Sequence, residues 1–249
     1  MKFSSPLLAA TLIKRYKRFL ADVRHAQLGE FTVHCPNTGS MKNCWSEGDR
    51  VYLLDSQNPK RKYQYTWISS HIKATDSQDQ HWLCLNTHLA NPIVVEGINN
   101  GVIEELQSYS SIQQEIKYGE ENSRIDLLLT ANNKPDCYVE IKTVTLLEAT
   151  VDGKALDQGH GFFPDAVSTR GQKHLRELTT LAQAGHRAVL LFLVQHSGIK
   201  SVSPAAHIDP QYAQLLGQAL DAGVEILCYR THISPAEIIL QDSLPFIFK

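Results

Sequence analysis

The chain has no CxxC pair, no long apolar run and little net charge. Its five cysteines, Cys35, Cys44, Cys84, Cys137 and Cys228, are scattered and odd in number. Such spacing argues against a disulfide framework and suggests a reducing, cytoplasmic setting. Neither His34, Cys35 and Cys44 nor His81, Cys84 and His88 has the paired spacing of a structural zinc site. The longest apolar run, AVLLFLV at 188–194, falls far short of the roughly 20 residues that span a bilayer, so no membrane partner is expected. The opening MKFSSPLLAATLIKRYKRF begins like a secretory signal. Its apolar part is short, broken by Pro6, and leads into basic residues instead of a small-residue cleavage site, so it reads as part of the fold. No Walker loop and no GxGxxG follows any candidate strand, which removes most nucleotide-binding readings.

What is present is ordinary globular composition with uneven charge. Apolar residues make up 43% of 249 positions, enough for one large domain or two small ones. The formal charge of −2 conceals a division: residues 1–73 carry 12 Lys/Arg against 5 Asp/Glu, and residues 74–249 carry 12 against 21. A basic front on an acidic body suggests two units, the first suited to a polyanion or simply well solvated. The boundary is placed between residues 90 and 91.

Residues 12–89 read as short strands between turn signals: 12–23, 30–35, 50–55, 62–72 and 81–86. Five short strands with few helical signals predict a small antiparallel barrel of the OB type. Such barrels grip nucleic acid through basic grooves and aromatic platforms. Two clusters have that character. KRYKRF supplies Arg15, Lys17 and Arg18; KRKYQYTW supplies Lys60, Arg61 and Lys62. Tyr63, Tyr65 and Trp67 alternate and are expected on one strand face, with at least two of them in the core. The polar loop HCPNTGSM (34–41) either cradles a phosphate on its backbone amides or is just a turn.

The second unit, 91–249, changes period. A helix is expected over 92–106, strands over 112–118, 123–130 and 137–144, a helix over 164–185, a wholly apolar strand over 187–195, a helix over 210–223 and a strand over 224–230. This order describes an α/β domain whose mixed sheet opens with a meander and ends in right-handed crossovers. Charges interrupt two of the strands, SRIDLLLT and CYVEIKTV. Alternation puts Arg124, Asp126 and Leu128 on one face of the first, and Tyr138, Glu140 and Lys142 on one face of the second. A hairpin centred near Asn133 sets Asp126 opposite Glu140, with Cβ atoms roughly 5 Å apart. Two carboxylates so placed can share a hard cation, Mg²⁺ or Mn²⁺, with Lys142 within reach of a water or phosphate. An ion pair, Glu140–Lys142 or Arg124–Asp126, on a solvated sheet face fits the spacing equally well. Asp136 stands four residues before Glu140 on one strand, roughly 13 Å away, and reads as turn chemistry. Glu115 is a candidate third carboxylate. Arg170 and Lys173 are candidate phosphate contacts, and Asp165 a helix cap or loop anchor.

The segments KRYKRFLADV, HCPNTGSM, SRIDLLL, YVEIKTVTL and FPDAVSTRGQKHLREL resemble the sugar fermentation stimulation protein A family over residues 12–235. The resemblance implies an N-terminal OB-type domain and a restriction-endonuclease-like, PD-(D/E)xK, α/β domain. It implies non-specific DNA binding and a regulatory role in sugar (maltose) metabolism. By motif, Asp126 and Glu140 take the two acidic positions that hold a metal and, with Lys142, form the catalytic set. Asp126 follows Ile125 where the broader nuclease signature has proline. The expected protein is therefore a DNA-binding phosphodiesterase using Mg²⁺ or Mn²⁺, or a non-catalytic DNA-binding regulator with a vestigial site.

Overall fold

The computed structural model describes residues 1–37, 39–73, 79–119 and 123–248. Six strands build the first unit: β1 (Leu8–Tyr16), β2 (Leu20–His25), β3 (Gly29–His34), β4 (Arg50–Asp55), β5 (Tyr65–Lys73) and β6 (Gln80–Cys84). The sheet runs β3-β2-β1-β4-β5-β6, and a β3–β5 pairing at His34 and Thr66 closes the first five strands into an OB-like barrel. Leu12, Val23, Val33, Leu53, Trp67 and Leu83 fill it.

Two local expectations fail. The stretch 12–23 is two strands. Lys17 and Arg18 adopt left-handed φ of 49° and 60°, turning the chain so that Tyr16 pairs with Leu20. The turn has no glycine, proline or asparagine, the residues that usually mark one. Nor do the three aromatics share a strand: Tyr63 precedes β5. Trp67 is fully buried, and Tyr65 packs on Phe31 at the rim of the core.

The second unit contains α1 (Ala90–Asn99), β7 (Ser111–Tyr118), β8 (Ser123–Thr130) and β9 (Cys137–Val144). Short strands β10 (Leu146–Leu147), β11 (Thr150–Val151), β12 (Lys154–Ala155) and β13 (His160–Phe163) follow. The chain continues through α2 (Thr169–Gln183), β14 (Arg187–Val194), β15 (Ser201–Pro204), α3 (Pro210–Asp221), β16 (Glu225–Ile233) and β17 (Ile238–Ser243). The main sheet has the order β17-β16-β14-β9-β8-β7. Strands β7, β8 and β9 form the expected meander, and β9, β14 and β16 run parallel. Val189, Leu191 and Leu193 of β14 enter the core under α1, while Leu190, Phe192 and Val194 enter the core under α2 and α3. A strand covered on both faces has to be apolar throughout.

Helix ends differ from the sequence pattern for local reasons. The first helix stops at Asn99, and Gly101 follows at φ 75°. The second begins only after Pro164, where Ser168 caps it by accepting the Gly171 amide at 3.0 Å. The sequence reading missed β17 and the small β10-β13-β15 sheet. Among the described residues, no helix is long and apolar enough to cross a membrane.

The two units are fastened at several points. The Cys84 amide donates to the Gln195 carbonyl and the Ser197 amide to the Trp82 carbonyl, so β6 also pairs with the segment after β14. Residues preceding the barrel dock far away in sequence: Lys2 bridges to Glu237, and the Phe3 amide donates to the Ala236 carbonyl. Ser40 Oγ donates to Asp165 Oδ2 at 2.8 Å, and Lys42 Nζ pairs with Glu148 at 2.6 Å.

Candidate active site

The β8–β9 hairpin has the register Leu127↔Val139, Leu128↔Tyr138 and Leu129↔Cys137. The next step would pair Asp126 with Glu140, but the ladder ends there. Asp126 Oδ2 instead accepts the backbone amide of Ile141 at 2.7 Å. On the other side, Glu115 and Asp126 drop out of the β7–β8 pairing, and Glu115 has φ 56°. This irregularity reverses the alternation. Ile125 joins the core under α2, whereas Leu127 and Leu129 join the core under α1. The expected common face of Arg124, Asp126 and Leu128 therefore does not form. Arg124 is exposed, Leu128 packs toward α2, and Asp126 lies at the opening between strands.

Asn91, in the first turn of α1, gathers the acids there. Its Nδ2 donates to Glu115 Oε1 at 3.2 Å and to Asp126 Oδ1 at 3.3 Å. Burial, and then the negative charge of Glu140, raise the Asp126 carboxyl to about 6. Glu140 is itself only 2% exposed. Its burial works to raise the pKa, but the Lys142 ammonium and His174 outweigh it and hold the carboxyl below its ordinary value. Lys142 Nζ donates to Glu140 Oε1 at 2.6 Å.

The same oxygen is bonded to His174 Nδ1 from α2. Arg170 Nε donates to His174 Nε2 at 3.4 Å. His174 Nδ1 donates to Glu140 Oε1, a bond that helps to hold Glu140 below its ordinary value, and it also lies 3.2 Å from Lys142 Nζ. Two donors thus converge on Oε1, while Glu140 Oε2 is buried with no hydrogen-bond partner among the described residues. Tyr118, at the end of β7, completes the surroundings. Burial and the charges of Glu140, Glu177 and Asp126 push its phenol well above the ordinary range.

An orphaned carboxylate oxygen in the interior needs a reason. The charge of Glu140 also acts on a second carboxylate, Asp126, which burial already makes costly to ionise. This donor set fits a hard divalent cation, which binds through one or two carboxylates and keeps several waters. Among the described residues, no three His, Cys, Asp or Glu side chains converge as a ready-made cage.

The structure thus gathers Asp126, Glu140, Lys142 and Glu115. Asn91, Tyr118 and His174 were missed. Asp136 lies just before β9, its carbonyl taken by the Arg187 amide. Asp165 is a loop anchor: it holds Ser40 and the Met41 amide, and Ser168 is the helix cap. Arg170 is exposed on the first turn of α2, and Lys173 is half-buried one turn along.

The barrel's basic residues fall into two groups. Lys60, Arg61 and Lys62 are exposed on the loop before β5. Arg61 lies near enough to His34 to reinforce, after burial, the lowering of its pKa. Lys17 and Arg18 are exposed on the β1–β2 turn, but Arg15 is engaged internally. Its Nη2 donates to the carbonyls of Arg18, Asn37 and Gly39. The 34–41 loop is therefore tied down at both edges. Thr38 of that loop lies outside the described residues. A separate cavity of 560 Å³ opens between the units near His81, His196 and Lys200, and no candidate catalytic residue lines it.

Two family models match the chain. The SfsA N-terminal OB domain matches residues 13–85, and the sugar fermentation stimulation protein RE domain matches residues 88–237. The sugar fermentation stimulation protein homolog of Shewanella denitrificans is 53% identical over 99% of this chain and 100% of its own length. That of Shewanella frigidimarina is 55% identical over 94% of each. The structure of Pyrococcus furiosus SfsA in complex with Ca²⁺ matches with a TM-score of 0.83 at 27% identity, covering 99% of this chain and 98% of that one.

Proposed function

The chain belongs to the sugar fermentation stimulation protein family, and on that premise we propose that it binds DNA without sequence preference and cuts it with a divalent-metal-dependent phosphodiesterase centre in the second unit. One observation carries the reading: two electrostatically coupled carboxylates, Asp126 and Glu140, stand with Lys142 where the sheet opens, and one Glu140 oxygen has no partner among the described residues. The Pyrococcus furiosus relative was solved with Ca²⁺, a hard cation that takes oxygen ligands as Mg²⁺ and Mn²⁺ do.

In this reading, Asp126 and Glu140 would hold the cation. A cation bound there neutralises charge on the phosphodiester and makes a bound water more acidic. The protein supplies the rest. The Ile141 amide and Asn91 fix Asp126 in the gap between strands. His174 and Lys142 occupy Glu140 Oε1, which would leave the other oxygen available to the cation. Lys142, whose side chain is 13% exposed, offers an ammonium to a phosphate oxygen as negative charge develops. The basic residues of the barrel hold the backbone of the same DNA.

The test is nicking of supercoiled plasmid with Mg²⁺ or Mn²⁺. Wild type is expected to nick and Glu140→Gln to lose the activity. Equal nicking by both proteins, or none by either, would sink the catalytic reading. A second reading, a non-catalytic DNA-binding regulator of sugar metabolism, has its own support. Lys142 and His174 compensate Glu140 without any cation, as a purely structural ion pair would.

A further inference from the structure

Two large apolar side chains left in solvent stand at either end of one seam, the run of bonds that joins the units through Arg15, Gly39, Ser40 and Asp165. Phe19 is 48% exposed and Val167 is 67% exposed. Phe19 closes the β1–β2 turn directly after Lys17 and Arg18, both exposed and both left-handed. The turn is held firmly for so polar a stretch. The Phe19 amide donates to the Lys17 carbonyl and its carbonyl accepts the Cys35 amide, each at 2.7 Å. One nitrogen of Arg15 spans from the Arg18 carbonyl at 3.0 Å to the Gly39 carbonyl at 3.3 Å.

From Gly39 the path crosses to the second unit. A Cβ added at Gly39 would stand 3.1 Å from Asp165 Oδ2. Ser40 donates to the Asp165 carboxylate and carbonyl. Asp165 leads through exposed Ala166 and Val167 to Ser168, the cap of α2. The first turn of α2 carries exposed Arg170, bonded to His174, which is bonded to Glu140. An unbroken chain of hydrogen bonds and short peptide links therefore joins the barrel turn to the candidate active site.

The residues offered along this seam are cations and apolar surface: Lys17, Arg18 and Arg170 with Phe19 and Val167. Cations suffice for a duplex, whose bases are already stacked on each other and which is held mainly by its phosphates. An exposed ring gains from nucleic acid only if a base is free to lie on it. We propose that this seam is a binding site for unpaired nucleic acid, with a base stacked on Phe19 and the backbone running past Lys17, Arg18 and Arg170 toward Glu140. The proposal rests on the nucleic-acid reading above and sharpens it: the preferred substrate is single-stranded or locally opened.

Fluorescence anisotropy with a labelled oligodeoxythymidine and a labelled duplex of equal length tests this, in EDTA so that no cutting intervenes. Stacking on one aromatic ring is worth about 5- to 150-fold in affinity. Phe19→Ala is expected to lose that factor on the oligonucleotide and to change duplex affinity by less than about twofold. Phe19→Trp should restore or tighten oligonucleotide binding, showing that the ring and not the fold is responsible. Lys17→Gln with Arg18→Gln should weaken both probes. Tight oligonucleotide binding that ignores Phe19→Ala, or an equal loss on both probes, overturns the stacking site alone. A wild type that binds neither probe overturns the nucleic-acid reading with it. Retained, Phe19-dependent oligonucleotide binding in a protein that never nicks plasmid supports the seam and overturns only the cutting.

Discussion

Replacing Asp126 by asparagine should make the metal-free protein more stable at neutral pH. Asp126 has its carboxyl raised from the ordinary 3.8 to about 6, by burial and then by Glu140. A carboxyl raised in the folded state is a group that folding prefers protonated. Its contribution is fully favourable below about 3.8 and is lost as pH rises through about 6. At pH 7 the charged form therefore costs the fold about 3 kcal/mol, two pKa units at 1.36 kcal/mol each. Asparagine removes the charge, and its side-chain oxygen can still accept the Ile141 amide. Part of the gain is lost because its amide group meets the Asn91 donor. The expected net gain is about 1–3 kcal/mol, or roughly 3–10 °C in Tm for a chain of this size. Thermal or urea unfolding of wild type and Asp126→Asn at pH 7.5 and pH 4.5, both in EDTA, reads it. The gain should shrink by about 2 kcal/mol at the lower pH, where folded Asp126 is neutral while the unfolded aspartate is still mostly ionised. Adding Mg²⁺ should stabilise wild type and leave the variant nearly unmoved. An asparagine variant less stable than wild type at pH 7.5, or a gain independent of pH, would refute the reasoning.

Three further outcomes follow from the same contacts. Lys142→Met removes the ammonium from a Glu140 that stays buried; breaking such a pair costs about 3–5 kcal/mol, and urea unfolding should show the deficit easing as pH falls and Glu140 takes up a proton. Neutralising Lys60, Arg61 and Lys62 together should flatten the log–log salt dependence of duplex binding by about 2–3 units, if all three meet phosphates; an unchanged slope would remove that loop from the DNA contact. Gly198→Val should destabilise the seam beside β6, because even a Cβ there comes within 2.7 Å of the His81 ring; overpacking of this kind costs about 1–3 kcal/mol, and a neutral substitution would mean that the ring moves aside freely.

The sequence made the hairpin legible because TANNKPD is a strong turn and the strands around it have clear apolar limits. A centre near Asn133 gives the register that the structure has, Leu128 facing Tyr138. The faces were not legible, because the reversal at Glu115 and Asp126 leaves the residue count on each strand unchanged. Periodicity cannot report a distortion that adds or removes no residue. His174 carried a usable signal: it falls within the buried stripe Gly171, His174, Leu175, Leu178 of α2, and a histidine in such a stripe requires a polar partner. Asn91 gave no such sign, since its role depends on how α1 lands against β7 and β8. Arg15 and its neighbours Lys17 and Arg18 looked alike in KRYKRF. Only the turn at Lys17–Arg18 separates the arginine that braces the 34–41 loop from the two cations left in solvent.

The pairing of residues 2–3 with residues 236–237 makes the barrel an excursion between two fixed moorings. It leaves the second unit near Leu7, a side chain already in that unit's core, and returns at β6, bonded to residues 195–197. A body moored on one flexible strand can swing through a wide cone; one moored at both ends can only rock about the line joining them. The bonds of Ser40 to Asp165 and of Lys42 to Glu148 lie apart from those two moorings and oppose even that rocking. A bound strand need not recruit the barrel from a distance, and cross-linking the two units across Ser40 and Asp165, already in hydrogen-bond contact, should displace neither half.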